Sequence, residues 1–167
     1  MQGSNSLLMG TTEKHMKILD MLSSIFIKKN YFYGREQIAL AINKNKLIDI
    51  DSLSKTNFAS VKAHINRFKV VYPDFMIFEK NSYIINEKRT RVVGIPNLII
   101  EVWSDSNSDE EKEEKRKLYK TGRSEFWEIR QDSIWIDCHS ADGKLYKQSI
   151  EHMLLTPWKD RIDLKDI

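Results

Sequence analysis

Glu101 is the residue whose position asks for chemistry. It lies within Leu98–Trp103, a run whose β-branched and aromatic content reads as a strand. A period of two puts Leu98, Ile100 and Val102 on one face and Asn97, Ile99, Glu101 and Trp103 on the other. An unpaired carboxylate in such a setting costs several kcal/mol. Glu101 must therefore meet a cation, a metal or solvent, and Arg91 is one residue that could supply a purely structural ion pair.

The elements around it follow from periodicity and punctuation. Thr11 or Thr12 can cap a helix in which Met16, Leu19, Leu22, Ile25 and Phe26 recur near helical spacing, ending around Lys28, Lys29 and Asn30. Glu36–Ile42 alternates, with Gln37, Ala39 and Ala41 opposite Ile38, Leu40 and Ile42, and is expected to be a strand. Residues 43–69 read as a long connection holding a short helix near Ala59–Phe68. Val70–Phe78 reads as the next strand, with Pro73 at an edge or start and Asp74 sharing a face with Met76 and Phe78.

After the strand of Glu101, a polar segment supplies caps for a helix from about Asp109 to Lys120, which Gly122 can stop. Glu125–Arg130, Ser133–Cys138 and Lys144–Ile150 then form an antiparallel meander, with turns at 131–132 and 141–143. The order of elements predicts an α+β fold. No internal repeat or composition break calls for a second domain, so 1–10 is read as a flexible N-terminal lead-in and 11–167 as a single domain.

Composition narrows the function classes. With 41% hydrophobic and 31% charged residues the chain is ordinary for a globular protein, and its longest apolar runs fall short of a membrane span. The first ten residues lack the basic region and sustained apolar core of an address signal. A single cysteine, Cys138, allows neither an intrachain disulfide nor a cysteine-built zinc site, which fits a reducing cytoplasm. The net charge of +3 is small, but it divides into +7 over residues 1–95 (15 Lys and Arg against 8 Asp and Glu) and −4 over 96–167 (12 against 16). The basic half could face a polyanion or be plain solvated surface. His64, His139 and His152 show no metal-ligand spacing, and the chain has no phosphate-binding glycine loop or nucleophile elbow.

His15 followed by Ile18 and Leu22, then EQIALAI, VVYPDF, VVGIPNLIIEVWSDSN, KRKLYKTGRSEFWEI and LLTPWKDRIDLKDI, taken in that order, resemble the Uma-two family. That family belongs to the restriction-endonuclease-like PD-(D/E)XK superfamily. The resemblance covers nearly the whole chain and is strongest from Pro73 to Trp127. It implies a mixed β-sheet flanked by helices, extended by the C-terminal meander, and a metal-dependent DNA endonuclease using Mg2+ or Mn2+. It also allows a homodimer.

Residue by residue, Asp74 matches the family's first acidic position and Glu101 its second, both implied metal ligands. Two residues after the second acid the wider superfamily carries a lysine, where this chain has Trp103. The Uma-two pattern takes its lysine from the following helix instead, in a K-x-x-x-Y spacing met by Lys115 and Tyr119. Lys115 is thus the implied catalytic lysine, with Lys112 and Lys117 near enough to replace it. His15 matches a first-helix position at the mouth of the cleft. Phe126 and Trp127 fit an aromatic pair read as core. The chain departs from the family at Asn97, where an aspartate is common, leaving a weaker potential ligand, and its Tyr119–Gly122 spacing is one residue short.

A phosphodiester repels an attacking hydroxide, so a hard cation held by carboxylates must offset charge and activate water. A lysine can then orient the water or stabilise the transition state. Structural alternatives stand beside each role: Asp74 as a turn cap, Lys115 as an i,i+4 partner of Glu111. Besides the nuclease, a catalytically weakened nucleic-acid or protein binding module on the same fold fits the sequence, as does a plain interaction domain. The nuclease reading requires Asp74 and Glu101 to converge on one cleft from adjacent strands. Carboxylates on opposite faces of the sheet would remove it.

Overall fold

The computed structural model describes residues 5–28, 31–35, 37–79, 81–159 and 161–163. Three helices, α1 (Asn5–Lys28), α2 (Lys55–Ala63) and α3 (Asp109–Tyr119), alternate with short strands. The strands are β1 (Phe32–Arg35), β2 (Ala39–Asn43), β3 (Lys46–Leu47), β4 (Lys69–Val71), β5 (Phe75–Phe78), β6 (Tyr83–Ile85) and β7 (Arg91–Gly94). They continue as β8 (Leu98–Trp103), β9 (Glu125–Arg130), β10 (Trp135–His139), β11 (Leu145–Ser149), β12 (Leu154–Leu155) and β13 (Arg161–Ile162).

The main sheet runs β1-β5-β8-β9-β10-β11, and a smaller one runs β3-β2-β7-β6 with β4 added against β2. In the main sheet β8 and β9 are parallel and the other neighbours antiparallel. Parallel neighbours need a crossover, and α3 provides it. The mixed α+β architecture expected from the sequence is the one observed, with the C-terminal meander continuing the sheet beyond β9.

β8 is buried along its whole length because both faces are covered. Leu98, Ile100 and Val102 pack with Phe75, Ile77, Trp127 and Ile129 beneath Ile18, Leu19, Leu22 and Phe26 of α1. Ile99 and Trp103 join Met76, Phe78 and Phe126 on the opposite face, with Tyr119 and Leu118 of α3 and Leu40, Ile42 and Val92 of the small sheet. Trp127 and Phe126 are core residues, as read from the sequence.

Two expected strands differ from those observed: the first begins only at Ala39, and the second is broken in two. Between β1 and β2 the Ile38 N–H donates to Arg35 O at 2.7 Å, and the Ala39 N–H donates to Thr90 O at 2.8 Å, so the chain turns out of the main sheet into the small one. Ala39, Leu40, Ala41 and Ile42 are then all buried, and their alternation marks two covered faces rather than an inside and an outside. Glu36 lies outside the described residues. In the same way β4 pairs with β2 and β5 with β8, and Tyr72–Asp74 cross between the sheets. Pro73, which has no N–H, breaks the ladder. Asp74 therefore lies just before its strand rather than within it.

Other boundaries shift. The connection 43–69 contains β3 and helix α2, which starts four residues before Ala59 on a Ser54 cap whose Oγ accepts the Asn57 N–H at 3.2 Å, and a 3-10 turn at Ile65–Arg67 completes it. α1 begins at Asn5, so it takes in residues 5–10 of the expected lead-in, while 1–4 lie outside the described residues, as do Lys29 and Asn30. α3 matches expectation, with the Ser108 Oγ accepting the Glu111 N–H at 3.1 Å and Gly122 turning the chain at φ +77°.

Since Leu22 is fully buried between α1 and the sheet, Leu22→Ala should cost about 2–5 kcal/mol of unfolding free energy. Urea denaturation would measure it, and a loss well under 1 kcal/mol would mean that α1 is not docked on this face.

Candidate active site

Asp74 and Glu101 meet because β5 and β8 pair antiparallel with Phe75 opposite Ile100. One step toward the strand ends brings Asp74 beside Glu101, close enough for each carboxyl to shift the ionisation of the other. Asp74 Oδ2 accepts the Val102 N–H at 2.8 Å, which ties the Pro73 break to the neighbouring strand. Its Oδ1 lies 3.3 Å from His15 Nε2, so α1 reaches the site through the face opposite α3.

Glu101 has no solvent-exposed surface. Lys115 Nζ donates to its Oε2 at 3.0 Å and the Tyr119 hydroxyl donates to its Oε1 at 2.8 Å. Lys115 and Tyr119 are i and i+4 on α3, one face of one helix, which is why both reach a single carboxylate. The alternatives weighed from sequence go elsewhere. Arg91 donates to the Asn66 and Phe68 carbonyls, at 2.5 and 3.2 Å, and Glu111 accepts from Asn107 at 3.2 Å. Among the described residues, the ion pair to Glu101 comes from Lys115 and not from Lys112 or Lys117.

Trp103 turns its ring toward Lys115, whose Nζ lies 5.4 Å from the ring centroid. Asn97 is drawn away from the site. Its Oδ1 accepts the Glu79 N–H at 2.8 Å, a backbone tie that gives it a structural task in place of the weak ligand role read from the sequence.

Burial and then the neighbouring Asp74 charge push Glu101 up to about 8, although Lys115 and Tyr119 pull the other way. Burial also opposes ionisation of Asp74, but the hydrogen bond and charge of His15 and the Val102 amide outweigh it and hold that carboxyl below its ordinary value. The two acids thus share one proton at neutral pH, as closely spaced carboxylates do. Burial, then Glu101, drives the Tyr119 phenol well above its usual range, so it remains a donor.

This donor set fits a hard divalent cation that takes few protein ligands and keeps its waters. At neutral pH the proton on Glu101 stands where a divalent ion would, and binding of the ion would replace it. Among the described residues no group of three or more His, Cys, Asp or Glu side chains gathers to hold a metal. Beside Lys115 a cleft of about 620 Å3 opens between α3 and the small sheet, with Asn45 and Val71 on one wall and Lys115 and Lys117 on the other.

Sequence reading missed Glu128, which is 4% exposed on β9. The signal was present but weaker than at Glu101: an acid between Trp127 and Ile129, in a strand that also holds Glu125 and Arg130.

A model of the Uma2 family, described as "Putative restriction endonuclease", matches residues 34–157. Among solved structures, the chain is similar to a protein of Anabaena variabilis described as "a putative nuclease belonging to DUF820". The TM-score is 0.59 at 12% identity, over 93% of this chain and 78% of that one, a likeness of fold. Comparison with curated proteins found no match.

The raised Glu101 pKa has a stability consequence with a definite sign. Between about 4.5 and about 8 the folded protein holds a proton that the unfolded chain has released. The contribution is therefore fully present below that window and is lost as pH rises through it. Glu101→Gln should remove this slope and make the metal-free protein more stable than wild type at pH near 8, by on the order of a few kcal/mol. Urea unfolding in chelator at several pH values checks it, and parallel pH curves for the two proteins would contradict the assignment.

Proposed function

The chain belongs to the Uma2 family of restriction-endonuclease-like proteins, and from that premise we propose that it is a metal-dependent nuclease that hydrolyses phosphodiester bonds in DNA. The observation that carries this reading is the meeting of Asp74, Glu101 and Lys115 at one point, with Lys115 Nζ 3.0 Å from Glu101 and supplied by the helix instead of the strand. Asp74 and Glu101 would hold Mg2+ or Mn2+. When bound, such an ion offsets phosphate charge and favours ionisation of water.

The protein's own residues would do the rest. His15 and the Val102 amide fix one carboxylate, and Tyr119 fixes the other. Lys115, freed from Glu101 when a cation takes up that charge, would orient the attacking water or stabilise the charge that develops on the phosphate, a contribution of about 3–4 kcal/mol in comparable sites. DNA would approach along the cleft between α3 and the small sheet, where Lys115 and Lys117 face Asn45. The +7 charge of residues 1–95, the half that builds the small sheet, suits a polyanion.

No helix of the described residues is long and apolar enough to cross a membrane. The single cysteine, Cys138, is buried as a free thiol, and we place the protein in a reducing cytoplasm on that basis. The second reading, binding of DNA without cleavage, draws on Asn97, which serves the backbone where the family commonly has an acid.

Cleavage of plasmid DNA with Mg2+ or Mn2+ decides between them. Lys115→Met should reduce cleavage by about a hundredfold or more while leaving Mn2+ affinity unchanged, because an ammonium is not a ligand. Asp74→Asn and Glu101→Gln should lose Mn2+ binding. In wild type, Mn2+ affinity should rise with pH up to about 8, since binding must expel the proton held by Glu101. Metal-independent DNA retention without cleavage would instead establish the binding module.

A further inference from the structure

Glu101 has a neighbour of its own kind. β8 and β9 run parallel with Glu101 opposite Glu128, so both carboxylates lie on the face that α3 covers. Two successive residues of α3 answer them. Lys115 reaches Glu101, and Arg116 places Nε at 2.9 and 3.1 Å from the two Glu128 oxygens and Nη2 at 2.7 Å from Oε1. Glu128 Oε1 also accepts the Trp103 indole N–H at 2.8 Å, and Oε2 meets His139 Nε2 at 2.5 Å. One carboxylate thus joins α3, β8 and β10.

α3 has particular need of such a tie. Of its eleven residues, DEEKEEKRKLY, only Leu118 and Tyr119 are apolar, so side-chain packing alone fixes its slide and rotation poorly. A strand lysine would be aimed by the sheet itself. A lysine on this helix is aimed only as well as the helix is registered, and its four-carbon stem adds freedom of its own. The Trp103 ring, oriented through its bond to Glu128, stands 5.4 Å from Lys115 Nζ and gives the ammonium a face to rest on.

We propose that Glu128 and Arg116 are positioning residues, which register α3 against β8 and β9 and lock Trp103 so that Lys115 is held over the Asp74–Glu101 site. Glu128 is the junction, with Arg116 acting on the helix and Trp103 on the lysine head. The proposal rests on the assignment of Lys115 as the catalytic lysine, and it explains how a helix can replace the strand as the source of that group.

The test uses the full chain with Arg116→Met, Arg116→Lys and Glu128→Gln, the last keeping an acceptor for Trp103 while removing the charge that Arg116 requires. With plasmid DNA and Mn2+, Arg116→Met should lower kcat by roughly a hundredfold at unchanged KM, and Arg116→Lys should recover part of it. Glu128→Gln should behave like Arg116→Met. A second readout does not need cleavage. Lys115→Met should shift the Trp103 indole N–H resonance in the wild-type background and shift it much less in Arg116→Met, because the ring and ammonium are no longer held together. Unchanged kcat in folded Arg116→Met, or an indole shift that is the same with and without Arg116, overturns the proposal. If wild type cleaves no DNA, the nuclease reading alone falls, and the indole comparison still decides whether these residues position Lys115.

Discussion

The structure turns on the burial of one carboxylate. Glu101 sits at the centre of the main sheet with no exposed surface, between two apolar clusters that would each be better served by a valine. Everything around it compensates. Lys115 and Tyr119 approach from α3, Asp74 from the next strand, and His15 supports Asp74 from α1. Removing one partner of such a buried group leaves the rest uncompensated and is strongly destabilising, whereas replacing the group by an apolar residue of similar shape is often neutral or better. A fold selected for stability alone has no reason to keep it. That cost is an argument for function independent of any family.

Glu125 shows the contrast. It too is an acid buried in β9, 6% exposed, yet the donors assigned to it are the neutral Trp127 indole and Tyr146 hydroxyl. Glu101 instead faces the charge of Asp74. Glu128 stands between these cases. It is buried and charged, held below its ordinary pKa against burial by Arg116 and His139, and its bonds reach three elements. Three acids on neighbouring strands thus have three environments: polar neutral donors, a firm ion pair, and like-charge crowding. Only the last holds a proton at neutral pH that an added cation would displace.

How much of this was legible in the sequence depended on whether local pattern and tertiary role agreed. β8, α3 and β9–β11 could be read because apolar runs, the Ser108 cap and the loop residues coincide with real boundaries. Glu101 stood out because a single acid interrupts LIIEVW. Glu36–Ile42 was read as starting too early, across the turn from β1 into the small sheet, and Val70–Phe78 as continuous although the chain changes sheets within it. Alternation reports faces, and it is silent about which sheet owns them. Pro73 was visible, but read as an edge marker rather than as the crossing itself. Glu128 escaped notice because its strand ends in Arg130 and so looked half-polar, and its partner Arg116 lies in a helix so charged that periodicity could not select any member. Asn97 was legible as a departure, but its bond to the Glu79 amide depends on a turn the sequence does not reveal.

The crossing between sheets and the helical lysine are linked consequences of one arrangement. Because Tyr72–Asp74 leaves β4 and enters β5, Asp74 lies at the end of a strand, where its carboxylate can accept the Val102 N–H and still face Glu101. The space beside that end is lined by α3 and the small sheet, and with Trp103 in the strand position the lysine that reaches Glu101 comes from the helix. Trp103 cannot substitute for an ammonium, but its indole N–H and its ring face serve different neighbours, Glu128 and Lys115. A lysine at that strand position would have placed a second cation beside Arg116 and removed the ring face on which the Lys115 ammonium rests. The tryptophan on the strand and the lysine on the helix therefore form a compatible pair, and exchanging either alone would unbalance both acids.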